Sequence, residues 1–317
     1  MSKILCIGEA LIDMICTDKG QPLTHGDHFL KKAGGAPANV AAAIAALGGD
    51  VEMVAKVGED PFGQHLVDVL QEMGVGTRYV LRDSRHFTTL AFVSLMQNGE
   101  RDFYFNRGAD AALSIEDLAS IHLPDYSIIH FGSATAFLLG PLQDAYVHLL
   151  QQALLQNIYV SFDPNYRQLL YSQCKPLFVE QAWAFAKQCA FFKMSDEEAM
   201  LITGASSVDE AAAILLQQTH AVFVITLGKE GALLGLRGKT FLVPGIPVQP
   251  VDTTGAGDAF MGAVLYQLQN FTYDQRLQLN EDEWKNMVAN ANKAGARTCE
   301  WLGAMEAFKH LNKNIFN

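Results

Sequence analysis

The segment Val251-Asp252-Thr253-Thr254-Gly255-Ala256-Gly257-Asp258-Ala259-Phe260 concentrates the residue types that handle phosphate. Its glycines precede an Ala/Gly/Leu-rich run, Ala259 to Leu268, with a helical pattern. At such a junction the backbone N–H groups of Gly255, Ala256 and Gly257 can converge on one point, where the helix dipole adds partial positive charge. That point suits a phosphoryl group carrying charge through transfer. Asp258 follows in the first turn. One role for it is general base toward a substrate hydroxyl; the other is a helix-start charge that complements the dipole.

Two rival phosphate loops are excluded. A dinucleotide fingerprint, G-x-G-x-x-G, would need glycine where Phe260 stands. A Walker A loop needs G-x-x-x-x-G-K-[ST]; Gly228-Lys229 is followed by Glu230, and neither it nor Gly238-Lys239 has the earlier glycine.

The elements that must position this loop are legible as β-rich runs alternating with helical stretches. Strands are expected at Ile4–Gly8, Val51–Val57, Ile128–Phe131, Ile158–Asp163, Phe191–Lys193 and Val222–Thr226, and helices at Ala38–Leu47 and Pro141–Gln156. Nearly continuous apolar strands between helices predict an α/β fold, a mostly parallel sheet covered on both faces. Two regions break the rhythm. Ile12 to Lys32 is polar and turn-rich. Thr88 to Arg107 reads as a hairpin turning at Asn98-Gly99, with Leu90, Phe92, Val93 and Leu95 in one arm and Phe103, Tyr104 and Phe105 in the other. The expectation is one domain over residues 1–317 with a β lid inserted at about 12–33 and 88–108.

Composition narrows the function. Half of the 317 residues are hydrophobic, enough for a sizeable core. No apolar run approaches the roughly 18 residues that span a bilayer, and Met1 to Gly8 reads as a buried strand rather than a signal peptide. The five cysteines are scattered without a CxxC pair, consistent with reduced thiols and a cytoplasmic protein. The nine histidines have no metal-ligand spacing. The net charge of −11 disfavours nucleic acid. Lys56, Lys193 and Lys229 are left without a role, since solvated or structural positions account for them.

With these residues in view, the chain resembles the ribokinase-like (PfkB) carbohydrate kinases. Asp252-Thr253-Thr254-Gly255-Ala256-Gly257-Asp258 is similar to the family's C-terminal signature, and Gly34-Gly35-Ala36-Pro37-Ala38-Asn39-Val40-Ala41 to its N-terminal one. Asp163-Pro164-Asn165-Tyr166-Arg167 resembles its D-x-N-x-R, and Thr226-Leu227-Gly228-Lys229-Glu230-Gly231 its T-x-G-x-x-G nucleotide loop. Ser195-Asp196-Glu197-Glu198 stands where the family has N-x-x-E, in the form seen in fructokinase-like members. The matches keep family order across nearly the whole chain.

The resemblance implies an ATP-dependent kinase acting on a primary hydroxyl of a small sugar, closest in pattern to bacterial fructokinase, with fructose 6-phosphate as product. Ribokinase, 2-keto-3-deoxygluconate kinase and aminoimidazole riboside kinase remain open, as does a non-catalytic sugar or nucleoside sensor. It implies Asp258 as base, the Gly255, Ala256 and Gly257 amides as anion hole, and Arg167 on the transferred phosphate. Asp13, Gly34, Gly35, Asn39, Arg107 and Asn165 fall to the sugar, with Phe105 as an apolar wall. Thr226, Gly228, Gly231 and Asn292 fall to ATP. Glu198 would organise Mg²⁺ through water, and Asp252, Thr254, Thr298 and Gly303 would surround K⁺. Relatives pair through the flap, so the resemblance points to a homodimer. Without it, Arg167 reads equally as a surface residue, Asn39 as a helix-start residue and Glu198 as part of a helix cap.

Overall fold

The computed structural model describes residues 3–18, 20–95 and 101–316; the expected Asn98-Gly99 turn lies outside them. The strands, in chain order, are β1 Lys3–Ile7, β2 Leu11–Cys16, β3 Phe29–Gly34, β4 Val51–Gly58, β5 Gly76–Asp83, β6 Leu90–Leu95, β7 Arg101–Asn106, β8 Tyr126–Phe131, β9 Tyr159–Phe162, β10 Phe191–Ser195, β11 Val222–Thr226, β12 Gly231–Leu236 and β13 Lys239–Pro244. The helices are α1 Ala36–Ala46, α2 Pro61–Glu72, α3 Pro141–Leu155, α4 Lys175–Ala186, α5 Asp196–Thr203, α6 Val208–Gln218, α7 Ala256–Leu268, α8 Tyr273–Gln278, α9 Glu281–Thr298 and α10 Ala304–Phe308.

Among the described residues these strands form two sheets. The larger has nine strands in the order β13-β12-β11-β10-β9-β8-β1-β4-β5. From β11 to β5 all pairs are parallel; β12 and β13 close the other edge as an antiparallel hairpin. Successive strand residues face opposite sides. Ile4 and Cys6 of β1 therefore join the core under α1, α7 and α9, while Leu5 and Ile7 join the core under α3 to α6. Burial on both faces is why these strands read as unbroken apolar runs. The chain leaves β1 toward β4 on one side and later returns to β8 on the other. That reversal opens a crevice at the carboxyl ends of β1 and β8, where open α/β sheets bind ligands.

The second sheet has four strands, β3-β2-β6-β7. The region Ile12 to Lys32, polar by composition, thus contributes most of β2 and β3, which pair antiparallel with Asp13 opposite Lys32. Three strands of the larger sheet escape a reading by apolar runs. In β5, Gly-Thr-Arg-Tyr-Val-Leu-Arg-Asp, charged residues dilute the apolar signal at a sheet edge. The hairpin β12–β13 turns at Arg237 and Gly238, both with positive φ. Among the described residues no single helix is long and apolar enough to cross a membrane.

Candidate active site

Helix α7 begins at Gly255, its cap, with φ +82. A Cβ there would lie 2.4 Å from Ala304 Cβ, so both the left-handed backbone and the space demand glycine. Asp252 braces the approach: its carboxylate accepts Thr254 N at 3.0 Å, Thr254 Oγ1 at 2.7 Å and Gly303 N at 2.8 Å. The amides of Ala256, Gly257 and Asp258 occupy the first turn, where the helix has no carbonyl for them. Ala256 N–H donates instead to Thr253 O at 3.2 Å, which concentrates the donor capacity on Gly257 and Asp258.

Asp258 meets the N-terminal motif across 219 residues of sequence, its Oδ2 accepting from Asn39 Nδ2 at 2.8 Å. Small side chains allow that meeting. A Cβ on Gly262 of α7 would stand 2.7 Å from Ala43 Cβ of α1, so the two helices touch nearly backbone to backbone. Gly35, the α1 cap, has φ +103, and a Cβ there would strike Glu9 O at 2.4 Å. Burial pushes the Asp258 carboxyl above its ordinary range, against the Asn39 hydrogen bond and the Lys193 and Arg167 cations, which favour ionisation.

Asp13 reaches the same space from β2. It shares a sheet face with Lys32, Ala91 and Phe105, its registered neighbours across the small sheet. Its carboxylate lies where a Gly34 Cβ would be, 2.3 Å from that position. Burial raises it to about 7; Arg167 pulls it down, and Asp258 and Glu9 push it up. Arg167 and Asp258 are thus the nearest charges felt by the Asp13 carboxyl besides Glu9.

The floor is built from the ends of β9 and β10. Asp163 is fully buried and pairs with Lys193 Nζ at 2.7 Å. Glu198 completes the α5 capping box with Ser195. Its Oε2 accepts Ser195 N at 2.8 Å and its Oε1 accepts Tyr166 N at 2.7 Å, which ties the Asp163–Arg167 loop to α5. Asn165, at φ +49, donates to Gly132 O at 2.9 Å and Asp163 O at 3.4 Å. Arg167 is exposed, and its Nη1 donates to Tyr166 O at 3.0 Å. Arg107 is anchored to buried Asp110 at 3.1 Å and to Thr135 O at 3.2 Å.

A second group converges on the end of β13. A Cβ on Gly231 would lie 2.2 Å from Val243 O, and Asn292 Nδ2 donates to Val243 O at 3.2 Å and Pro244 O at 2.9 Å. Thr226 Oγ1 bonds Met194 O at 3.4 Å, and Gly228, at φ +57, opens the turn between β11 and β12. Thr298 is fully buried, its hydroxyl donating to Ala294 O at 3.0 Å, and the next residue, Cys299, accepts Asp252 N at its carbonyl at 3.2 Å.

The family model of the pfkB family carbohydrate kinases matches residues 1–310. The chain belongs to that family. Relatives include Fructokinase-1 of Zea mays, 35% identical over 305 residues, covering 95% of this chain and 93% of the relative. Among solved structures, the Xylella fastidiosa fructokinase with bound ATP superposes with a TM-score of 0.87 at 31% identity, over 99% of this chain and 96% of that one. A double mutant of the Vibrio cholerae O395 fructokinase, with fructose, ADP and potassium ion bound, superposes with a TM-score of 0.84 at 31% identity, over 100% of this chain and 97% of that one. The fold is accordingly the ribokinase-like one, a large mostly parallel sheet with a separate four-stranded sheet.

Two residues of this carbohydrate kinase's cleft carry no signal in a pass along its sequence. Lys193 reads there as a solvated or structural lysine. It is in fact buried among Asp163, Glu198 and Asp258. Its place inside a strand, between Phe192 and Met194, was the available clue. Glu9, just after β1, is also buried; it accepts from Ala36 N at 3.3 Å and Ala134 N at 3.2 Å and so joins the α1 cap to the loop after β8.

Proposed function

We propose that this carbohydrate kinase transfers the γ-phosphoryl group of ATP to the primary hydroxyl of fructose, giving fructose 6-phosphate. The observation that carries the reading is the Asn39–Asp258 pair at the start of α7, beside the first-turn amides and facing Asp13.

Asp258 takes the hydroxyl proton as the sugar oxygen attacks the γ-phosphorus, with Asn39 holding one carboxylate oxygen. The first-turn amides receive the developing charge, and the exposed Arg167 adds a bidentate cation. Asp13, Asn39 and the backbone at Gly34 and Gly35 bind sugar hydroxyls, and Phe105 supplies an apolar wall on the same sheet face. Asn165 shapes its loop through backbone carbonyls. The four-stranded sheet serves as the lid that excludes water during transfer. Arg107 already has Asp110 to neutralise it, which favours an uncharged sugar over a carboxylate-bearing one.

ATP lies along Thr226, Gly228, Gly231 and Asn292. Mg²⁺ fits beside Glu198 and Asp163: Asp163 Oδ1 is buried with no hydrogen-bond partner among the described residues, a group suited to a metal-bound water. When bound, Mg²⁺ supplies positive charge to the phosphates. The Asp252 loop, braced by hydrogen bonds to Thr254 and Gly303, would hold K⁺; the Vibrio relative is a potassium-bound form.

The test is ADP release measured over ketoses, pentoses, ketodeoxy acids and nucleosides, with the phosphorylated position read by NMR. Fructose is expected to have the highest kcat/KM and to carry phosphate on its 6-hydroxyl. A higher value for another class refutes the assignment.

A further inference from the structure

We propose that Lys193 is a catalytic residue of this kinase, its ammonium group contacting the phosphoryl group in transit. The proposal rests on the phosphotransfer reading above and adds a cation to it. Lys193 is the central residue of β10, Phe-Phe-Lys-Met-Ser, which lies between β9 and β11 in the middle of the large sheet. Its side chain is nine-tenths buried, and its Nζ lies 2.7 Å from Asp163 Oδ2. An ammonium has three donors, and this ion pair uses one.

What the head faces is informative. A Cβ on Gly257 would meet Lys193 Nζ at 3.1 Å and no other atom within 4 Å. The ammonium therefore sits against the first turn of α7, beside amides without helical partners. That is the positive end of the helix dipole, where a cation is unfavourable. The arrangement becomes favourable once an anion enters between the ammonium and the amides. A buried ion pair serving stability alone gains little over a well-packed apolar pair, and it gives no reason to turn the cation toward a helix N-terminus.

In the resting site the Asp163 carboxylate is the counterion of the ammonium. Lys193 acts as a cation with no proton step of its own. The sugar oxygen forms its bond to the γ-phosphorus as the bond to the β–γ bridging oxygen breaks. The hydroxyl proton passes to Asp258, and the electron pair leaves with ADP. Lys193 neutralises the equatorial oxygens of the group in flight.

The test compares wild type, Lys193→Met and Lys193→Met/Asp163→Asn for melting temperature, turnover with fructose, and affinity for ADP with and without aluminium fluoride, which mimics the phosphoryl group in transit. For Lys193→Met the expectation is near-normal ADP affinity, a kcat lower by about 10²-fold or more, and loss of the added affinity that aluminium fluoride confers. The double variant no longer strands a buried carboxylate and is expected to remain slow. Asp163→Asn alone is the control for the place of Asp163 beside Mg²⁺, and if Lys193→Met does not fold the double variant is read against that single variant. Retention of the aluminium fluoride increment, or recovery of turnover in the double variant, overturns the proposal and leaves Lys193 as the counterion of Asp163. Wild type that phosphorylates no sugar refutes the functional reading instead, so the two failures are distinct.

Discussion

Replacing Asp13 with asparagine is expected to stabilise the sugar-free protein while damaging its use of fructose. The carboxyl is pushed to about 7 by burial, with Arg167 opposing and Asp258 and Glu9 reinforcing the rise. In the unfolded chain it titrates at ~3.9. The folded-state value is the higher one, so the stability contributed by this group is full below the unfolded pKa and is lost as pH rises through about 7. Against an uncharged isostere, the raised pKa costs the folded state about 1.5 kcal/mol at pH 5, where folding takes up a proton, and about 4 kcal/mol at pH 8, where the buried carboxyl is mostly ionised. With an unfolding entropy of ~2.1 cal/mol/K per residue over 317 residues, these costs become about 2 °C and about 6 °C in melting temperature. Both are ceilings, because water entering the cleft screens the charge. The assay is differential scanning calorimetry of wild type and Asp13→Asn from pH 5 to pH 8 without sugar, alongside fructose kinetics. The expected result is a gap in favour of the variant that widens with pH, with fructose kcat/KM reduced about 10²-fold or more and the KM for ATP little changed. A gap that stays constant with pH, or a variant melting below wild type at pH 8, refutes the claim that a desolvated carboxylate faces Arg167 and Asp258. Unchanged fructose kinetics refutes its role toward the sugar.

Asp258→Asn is expected to keep the fold and the affinity for ATP while kcat falls about 10²–10⁴-fold. In wild type the base must be ionised, and burial raises its pKa, so the acid limb of kcat/KM for fructose should lie above the ordinary carboxylate range; a pH–rate profile checks this. Gly34→Ala puts a methyl group 2.3 Å from Asp13 Oδ2 and must displace that carboxylate. The KM for fructose should rise about 10-fold or more with the KM for ATP unchanged, as steady-state kinetics will show.

Much of this molecule is decided within a few residues of sequence. The α7 start requires glycine at position 255 because the local backbone has φ +82, and Ser195 with Glu198 forms a capping box from neighbouring atoms alone. Strands buried on both faces announce themselves as apolar runs, so β1, β4, β8, β9, β10 and β11 are legible. Elements whose apolar signal is diluted, such as β2, β3 and β5, are less so. The pairing of Asn39 with Asp258 and the burial of Lys193 against Gly257 belong to the tertiary structure. Each depends on which strands and helices become neighbours across long stretches of chain, and on Gly262 and Ala43 being small enough for α7 and α1 to touch. A side chain's type is written locally, whereas its charge environment is a sum over groups that only the packed fold assembles.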